Sequence, residues 1–383
     1  MRIVRLDGSP AAVDTLAAVL DDALDGGPAV LPLADTTRVP AAADSEMPAD
    51  GVLLATSGST GDPRLVALPA SALRASAAAS CVRLRGPARW LLALPADHVA
   101  GVQVVVRALL AGARPVVQDL RGGFRPDGFT AATARLGPGR RCTSLVPTQL
   151  LRLLDAGGTA LDALCGYDAV LVGGAALDAG LRARAEASGV RVVATYGMTE
   201  TAGGCVYDGV PLDGVRARLD AGRILLGGPT LAAGYLGRPA ESAAAFVDGE
   251  FRTGDLGRWA DGRLEVLGRA DDVIVTGGEN VVPAAVERVL AGVAGVRASC
   301  VVGLPDPEWG AIVGAAIVGD DVDPDRLRAA VRDALGRAAV PRVLRAVEAL
   351  PLRGIGKPDR AAVARLLAGQ ENDNDHATPA PRR

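Results

Sequence analysis

Val52-Leu53-Leu54-Ala55-Thr56-Ser57-Gly58-Ser59-Thr60-Gly61-Asp62-Pro63-Arg64 is an apolar run that breaks into hydroxyls and glycines. A short unbroken apolar run bounded by such residues fits a buried strand, and the hydroxyl-rich stretch after it reads as a loop. Gly58 and Gly61 let the backbone approach an anion closely. Thr56, Ser57, Ser59 and Thr60 can donate to phosphate oxygens together with free N–H groups, and Arg64 adds a fixed positive charge. No Gly-Lys-Ser/Thr comes after the second glycine, so the stretch is not a Walker loop. On composition alone an ordinary Ser/Gly turn serves equally well.

Working outward, similar Val/Leu runs at Trp90–Leu94, Ala169–Val172 and Val190–Ala194 alternate with Ala-rich helical stretches at Ser71–Arg83 and Leu177–Ser188. This alternation predicts an α/β domain with largely parallel, buried strands. The pattern changes near Arg269. A helix opens at Pro283, strand-like runs come next at Ala298–Val302 and Ala311–Ile317, and Asp323-Pro324 begins a helix that Gly336 closes. A last helix is expected from about Asp359 to Leu367. The expected fold is a large N-terminal domain of layered sheets and helices over 1–268, a hinge at 269–272 and a small, mobile α+β domain over 273–368. The polar tail 369–383 is expected to be disordered.

Composition narrows the class. The chain has 383 residues, 49% apolar and 22% charged, with a net charge of −3 and no basic block. A nucleic-acid or anionic-membrane surface is not implied. The five cysteines are widely spaced, which suits reduced, buried thiols in a cytoplasmic protein. The first residues lack the apolar core of a signal peptide. The most apolar stretch, Val99–Val117, is interrupted by Gln103, Arg107 and Arg114, and so predicts core elements rather than a membrane span. Oligomeric state is not legible, and a homodimer is neither required nor excluded.

Four further motifs carry candidate chemistry. Thr195-Tyr196-Gly197-Met198-Thr199-Glu200-Thr201 comes after an expected strand, and Glu200 among hydroxyls suits a Mg²⁺ carried on nucleotide phosphates. Phe251-Arg252-Thr253-Gly254-Asp255 places an Asp on an expected tight turn, where it could accept ribose hydroxyls. Gly268-Arg269-Ala270-Asp271-Asp272, with Gly277-Gly278-Glu279-Asn280 beyond it, suits a hinge between domains. Leu352-Arg353-Gly354-Ile355-Gly356-Lys357-Pro358 holds the chain's one lysine, in a protein that otherwise uses Arg for positive charge.

Taken in order, these motifs resemble the adenylate-forming superfamily of acyl-CoA synthetases, peptide-synthetase adenylation domains and luciferases. The resemblance runs from about Gly51 to Leu367. It implies ATP, Mg²⁺ and coenzyme A as co-reactants. By position, Thr56–Arg64 would hold the β- and γ-phosphates. Gly174, Ala175 and Ala176 would line the adenine and Tyr196 would stack on it, within the segment Thr195–Met198. Thr199 and Glu200 would face the α-phosphate and the metal, and Asp255 and Arg269 would bind the ribose. Asp271 matches the hinge residue, and Lys357 matches the lysine that bridges the α-phosphate and the attacking carboxylate. His98 would lie between the acyl pocket and the α-phosphate, as a functional rather than a structural core histidine. Gly277, Gly278, Glu279 and Asn280 match the face presented to coenzyme A.

Two departures stand out. Arg64-Leu65 replaces the usual Lys-Gly, and only about fifty residues precede the phosphate loop, so the front of the large domain is expected to be reduced. Short chains of this kind resemble o-succinylbenzoate–CoA ligases of menaquinone biosynthesis, as do Leu94–Gly101 and Leu171–Leu177. Ser144, Thr143 and Thr195 are candidate pocket donors. Another aryl- or fatty-acid CoA ligase, or a carrier-protein-loading enzyme, remains the alternative reading.

Overall fold

The computed structural model describes residues 1–40, 50–56, 64–320, 322–353 and 357–369, so the tail from 370 on lies outside the described residues. The chain folds as two compact units, one of residues 1–253 with 259–265 and the other of 254–258 with the residues from 266 on.

The first unit opens with β1 (Arg2–Leu6), α1 (Pro10–Leu24), β2 (Val30–Ala34), β3 (Val52–Thr56) and β4 (Arg64–Leu68). Ser9 starts α1 by accepting from the Ala12 amide, with Pro10 in the first turn. Strands β1, β2 and β3 run parallel, and β4 returns antiparallel so that Thr56 faces Arg64. The two ends of the phosphate-loop candidate are therefore brought side by side, while Ser57–Pro63 lie outside the described residues.

The main sheet is built next, from α2 (Ala70–Arg83), β5 (Arg89–Leu92), α3 (Val99–Leu110), β6 (Val116–Val117), α4 (Pro126–Thr133), β7 (Arg141–Leu145), α5 (Pro147–Ala156), α6 (Gly158–Cys165), β8 (Ala169–Val172), α7 (Ala179–Ala187), β9 (Val192–Met198), β10 (Gly203–Tyr207) and β11 (Val210–Pro211). Its order is β11-β10-β9-β8-β7-β5-β6. From β9 to β6 the strands are parallel, and β10 is antiparallel to β9. The alternating runs thus form a parallel sheet, and Val99–Val117 is a buried helix with a strand after it. Phe129 and Tyr167 are buried amid Leu, Val and Ala, as a composition poor in aromatics requires.

Next comes a hairpin of β12 (Arg216–Asp220) and β13 (Arg223–Gly227). Then β14 (Gly234–Tyr235) adds to β4, and α8 (Pro239–Ala245), β15 (Phe246–Val247) and β16 (Glu250–Ala260) complete the run. Asp255 lies in the middle of β16, not on the tight turn expected for it. Gly254 signals a turn locally, but strand pairing overrides it.

After β17 (Arg263–Arg269), the second unit holds β18 (Ile274–Thr276), β19 (Glu279–Val281), α9 (Pro283–Ala291), β20 (Val296–Asp306), β21 (Gly310–Gly319), α10 (Pro324–Leu335), β22 (Val343–Ala346), β23 (Leu352–Arg353), β24 (Lys357–Pro358) and α11 (Arg360–Ala368). The sheet β20-β21-β22 buries Val301, Val313, Ala315 and Ile317 against Val286, Leu290, Leu327 and Val331 of α9 and α10. This is the expected α+β arrangement. No helix among the described residues is long and apolar enough to cross a membrane.

Candidate active site

The candidate centre of the first unit is the turn between β9 and β10. The Val/Leu run of the sequence stops at Ala194, but β9 continues to Met198 because β10 folds back on it, with Gly203 opposite Met198. Glycine is needed where β10 crosses β9 and where the end of β8 passes Thr195. A Cβ on Gly197 would stand 2.1 Å from the Gly203 carbonyl oxygen, and one on Gly173 would stand 2.3 Å from Thr195 Oγ1. Thr199–Thr201 form a single 3-10 turn. The buried Thr201 hydroxyl locks it, lying 3.0 Å from the Met198 amide and 2.8 Å from the Gly203 carbonyl. Ala202, buried and with φ of 51°, takes the left-handed conformation that turns the chain into β10.

Glu200 is held at both ends. Its carbonyl accepts from the Ala232 amide at 2.9 Å, and its Oε1 accepts from the Tyr235 phenol at 3.0 Å. Burial, and then the Glu200 charge, raise the Tyr235 phenol above its usual range, so it remains a donor. Arg64 stacks over the Tyr235 ring at 5.3 Å and pairs with Glu241 at 3.0 Å. Its charge is thus engaged by a carboxylate that no motif of the sequence points to. Among the described residues no group of three His, Cys, Asp or Glu converges. A lone, oriented Glu200 carboxylate fits a cation that arrives on phosphate oxygens rather than one caged by protein.

The other candidates of this unit sit near the same sheet edge. Gly174, Ala175 and Ala176 belong to the loop that leaves β8, with Gly174–Ala176 exposed, and Tyr196 is half-buried on the adjacent β9. The Thr195 hydroxyl donates to the Val172 carbonyl at 3.3 Å and Thr143 donates to the Leu91 carbonyl at 3.0 Å, so two of the three expected pocket donors are already used, and Ser144 is buried in β7. His98 is not in the core. It caps α3 with its side chain 44% exposed, and its Nδ1 lies 2.9 Å from Asp97 Oδ1. Burial raises the Asp97 pKa, but the hydrogen bond and charge of His98 outweigh it, leaving the carboxyl below its ordinary value.

Residues 8–236, more than half of the chain, match the AMP-binding enzyme family, and residues 285–357 match the AMP-binding enzyme C-terminal domain. The chain belongs to the AMP-binding enzyme family. It is 49% identical over 329 residues to a probable 2-succinylbenzoate–CoA ligase of Mycobacterium tuberculosis, covering 83% of this chain and 85% of that protein. It is 34% identical over 370 residues to a feruloyl-CoA synthase of Amycolatopsis, covering 86% and 74%. Among solved structures it superposes on the o-succinylbenzoate coenzyme A synthetase of Bacillus subtilis in complex with AMP. The TM-score is 0.70 and the identity 26%, over 81% of this chain and 68% of that one.

The second unit of this AMP-binding enzyme carries the remaining candidates. Asp255 is buried in β16, 3.6 Å from Arg269, whose guanidinium also lies 3.8 Å from Asp271. A Cβ on Gly254 would stand 2.6 Å from that guanidinium. Asp271 lies in the 3-10 turn Ala270–Asp272. Gly277 and Gly278 make the turn between β18 and β19, both with positive φ, and leave Glu279 and Asn280 exposed. A Cβ on Gly277 would meet the Trp309 ring at 2.5 Å. Lys357 stands in β24 opposite Arg353. Arg360, three residues on, joins Asp272 at 3.2 Å and Glu287 at 2.7 Å, tying the last helix to the residue beside Asp271.

Sequence reasoning missed one cluster here. Arg328, Arg332, Arg337 and Arg342 line an open cleft with Val340 and Pro341. Arg342 stacks on Trp309 at 4.2 Å. The Arg328–Arg332 spacing of one helical turn was legible, but the convergence with Arg337 and Arg342 depends on the loop after α10.

Proposed function

We propose that this enzyme activates o-succinylbenzoate with ATP as an acyl-adenylate and transfers the acyl group to coenzyme A. The observation that carries this reading is the 49% identity, over 329 residues, to a protein named for that reaction. The five motifs in order and the oriented Glu200 agree with it. The reaction brings two anions together, so their repulsion must be offset by positive charge and hydrogen-bond donors. Mg²⁺, when bound through Glu200, would neutralise phosphate charge. The chain's own part is to orient that carboxylate through Tyr235, to accept the ribose hydroxyls at Asp255 and to bring the Lys357 ammonium to the reacting oxygens. His98, held by Asp97, orients the acid.

The second half-reaction calls for a thiol in place of Lys357. We assign residues 273–368 to a mobile domain that pivots at Asp271 and presents Gly277–Asn280 to the pantetheine arm. The arginine cleft with Trp309 suits the phosphates and base of coenzyme A. Five free cysteines, three of them buried, agree with a reducing cytoplasm.

The test is pyrophosphate release with a panel of acids, with and without coenzyme A. Turnover of o-succinylbenzoate to its thioester ahead of other acids is expected. Turnover of benzoate, ferulate or octanoate without o-succinylbenzoate would overturn the substrate. Ferulate alone would favour the second reading, which the 34% relative supports.

A further inference from the structure

Helix α2 is rich in alanine, yet two of its buried positions, Ser76 and Ser80, carry hydroxyls. Both are 0% exposed, so each hydroxyl needs a partner within the protein. A serine inside a helix commonly turns back on the helix's own backbone. These two reach outward. Ser80 Oγ lies 2.9 Å from the Tyr207 hydroxyl, to which Arg107 of α3 also donates at 3.2 Å. Ser76 Oγ reaches a residue 126 positions away and donates to the Ala202 carbonyl at 3.1 Å.

Ala202 ends the turn that carries Thr199 and Glu200. Its amide closes that turn on the Thr199 carbonyl at 3.1 Å. Its φ of 51° is one that a residue with a side chain keeps only where its surroundings hold it there. The Ser76 hydroxyl supplies such a hold, on the carbonyl of that same residue. The next residue is packed as well, since a Cβ on Gly203 would stand 3.3 Å from Gln103 Cγ of α3. Gln103 offers packing only, because its amide is buried and has no hydrogen-bond partner.

We propose that Ser76 is a positioning residue for the metal–nucleotide complex. By holding the Ala202 carbonyl it keeps that left-handed residue in place, and so fixes the direction in which Glu200 leaves the turn. This rests on the reading above, in which Glu200 meets a Mg²⁺ carried on nucleotide phosphates. Tyr235 holds the end of the Glu200 side chain, and Ser76 holds the backbone that carries it. Ser76 is buried and acts through Ala202, without touching a reactant.

The test measures ATP affinity by calorimetry, with and without Mg²⁺ and with no acid present. It compares the unaltered full-length protein with Ser76→Ala and Ser80→Ala. Each variant removes one buried hydroxyl from the same helix, so their melting temperatures should fall alike, and Ser80→Ala controls for a merely structural effect. The gain in ATP affinity that Mg²⁺ brings should shrink about fivefold or more in Ser76→Ala and change by less than about twofold in Ser80→Ala. Affinity for metal-free ATP should hold in both. Ala202→Gly added to Ser76→Ala should recover most of the lost gain, because glycine takes a positive φ without outside support. In pyrophosphate exchange, Ser76→Ala should lower kcat about fivefold and leave KM for the acid within about twofold. An equal Mg²⁺ gain in all three proteins, equal losses in the two serine variants, or no recovery with Ala202→Gly would each sink this inference alone. Absence of any Mg²⁺ gain in the unaltered protein would sink the reading of Glu200 and this inference with it.

Discussion

The Tyr235 phenol donates to Glu200 Oε1 at 3.0 Å across 35 residues of chain, joining the turn after β9 in the main sheet to an edge strand of the first sheet. In the proposed mechanism this contact aims Glu200 in advance, which would lower the reorganisation needed at the reacting phosphate. Tyr235→Phe keeps the ring over which Arg64 stacks and removes only the donor. A fall in kcat of about tenfold, about 1.4 kcal/mol, is expected, with a higher Mg²⁺ requirement. Pyrophosphate exchange titrated with Mg²⁺ measures both. Because the phenol stays protonated, the unaltered enzyme should show no loss attributable to Tyr235 up to about pH 10.

The Asp97–His98 pair makes stability depend on pH in a definite direction. The Asp97 carboxyl is below its ordinary value when folded, so its contribution is present above about pH 4 and is lost as pH falls through the folded value. Asp97→Asn should cost about 1 kcal/mol at pH 7 and less at about pH 3, as the carboxyl takes up its proton. Urea unfolding at the two pH values checks this, and an equal cost at both would show that packing rather than charge is responsible.

Lys357 and Asp271 serve different half-reactions in the proposed mechanism. Lys357→Ala should reduce acyl-adenylate formation by about 10²–10³ yet spare thioester formation from supplied acyl-adenylate. Asp271→Pro should do the reverse, stiffening the turn Ala270–Asp272. Single-turnover assays of each half-reaction separate the two, and parallel losses would contradict the division of labour.

The arginine cleft predicts a defect confined to the thiol substrate. Arg342→Glu removes a guanidinium stacked on Trp309 and reverses the charge. KM for coenzyme A should rise about tenfold or more, with acid-dependent pyrophosphate release without coenzyme A unchanged. Steady-state kinetics with coenzyme A and with pantetheine locates the effect, since pantetheine lacks the nucleotide and should be insensitive.

Much of this was written locally. The parallel sheet arises from Val/Leu runs alternating with Ala-rich helices, and the helix beginning at Pro324 from its cap and spacing. The order of the motifs sufficed for the family, because each motif is a contiguous stretch whose chemistry depends on neighbours one to five residues away. The tertiary structure decided which side chains are already engaged. It put Arg64 against Glu241, moved Asp255 from a turn into β16, carried β9 through to Met198 and brought His98 to the surface. It also supplied Tyr235 to Glu200, and left Gln103 buried with its amide unspent. Those relationships join residues tens of positions apart, and their energies come from burial and strand pairing. Local periodicity determines what kind of element a segment becomes, while the partner of a buried polar group is settled only when distant segments pack.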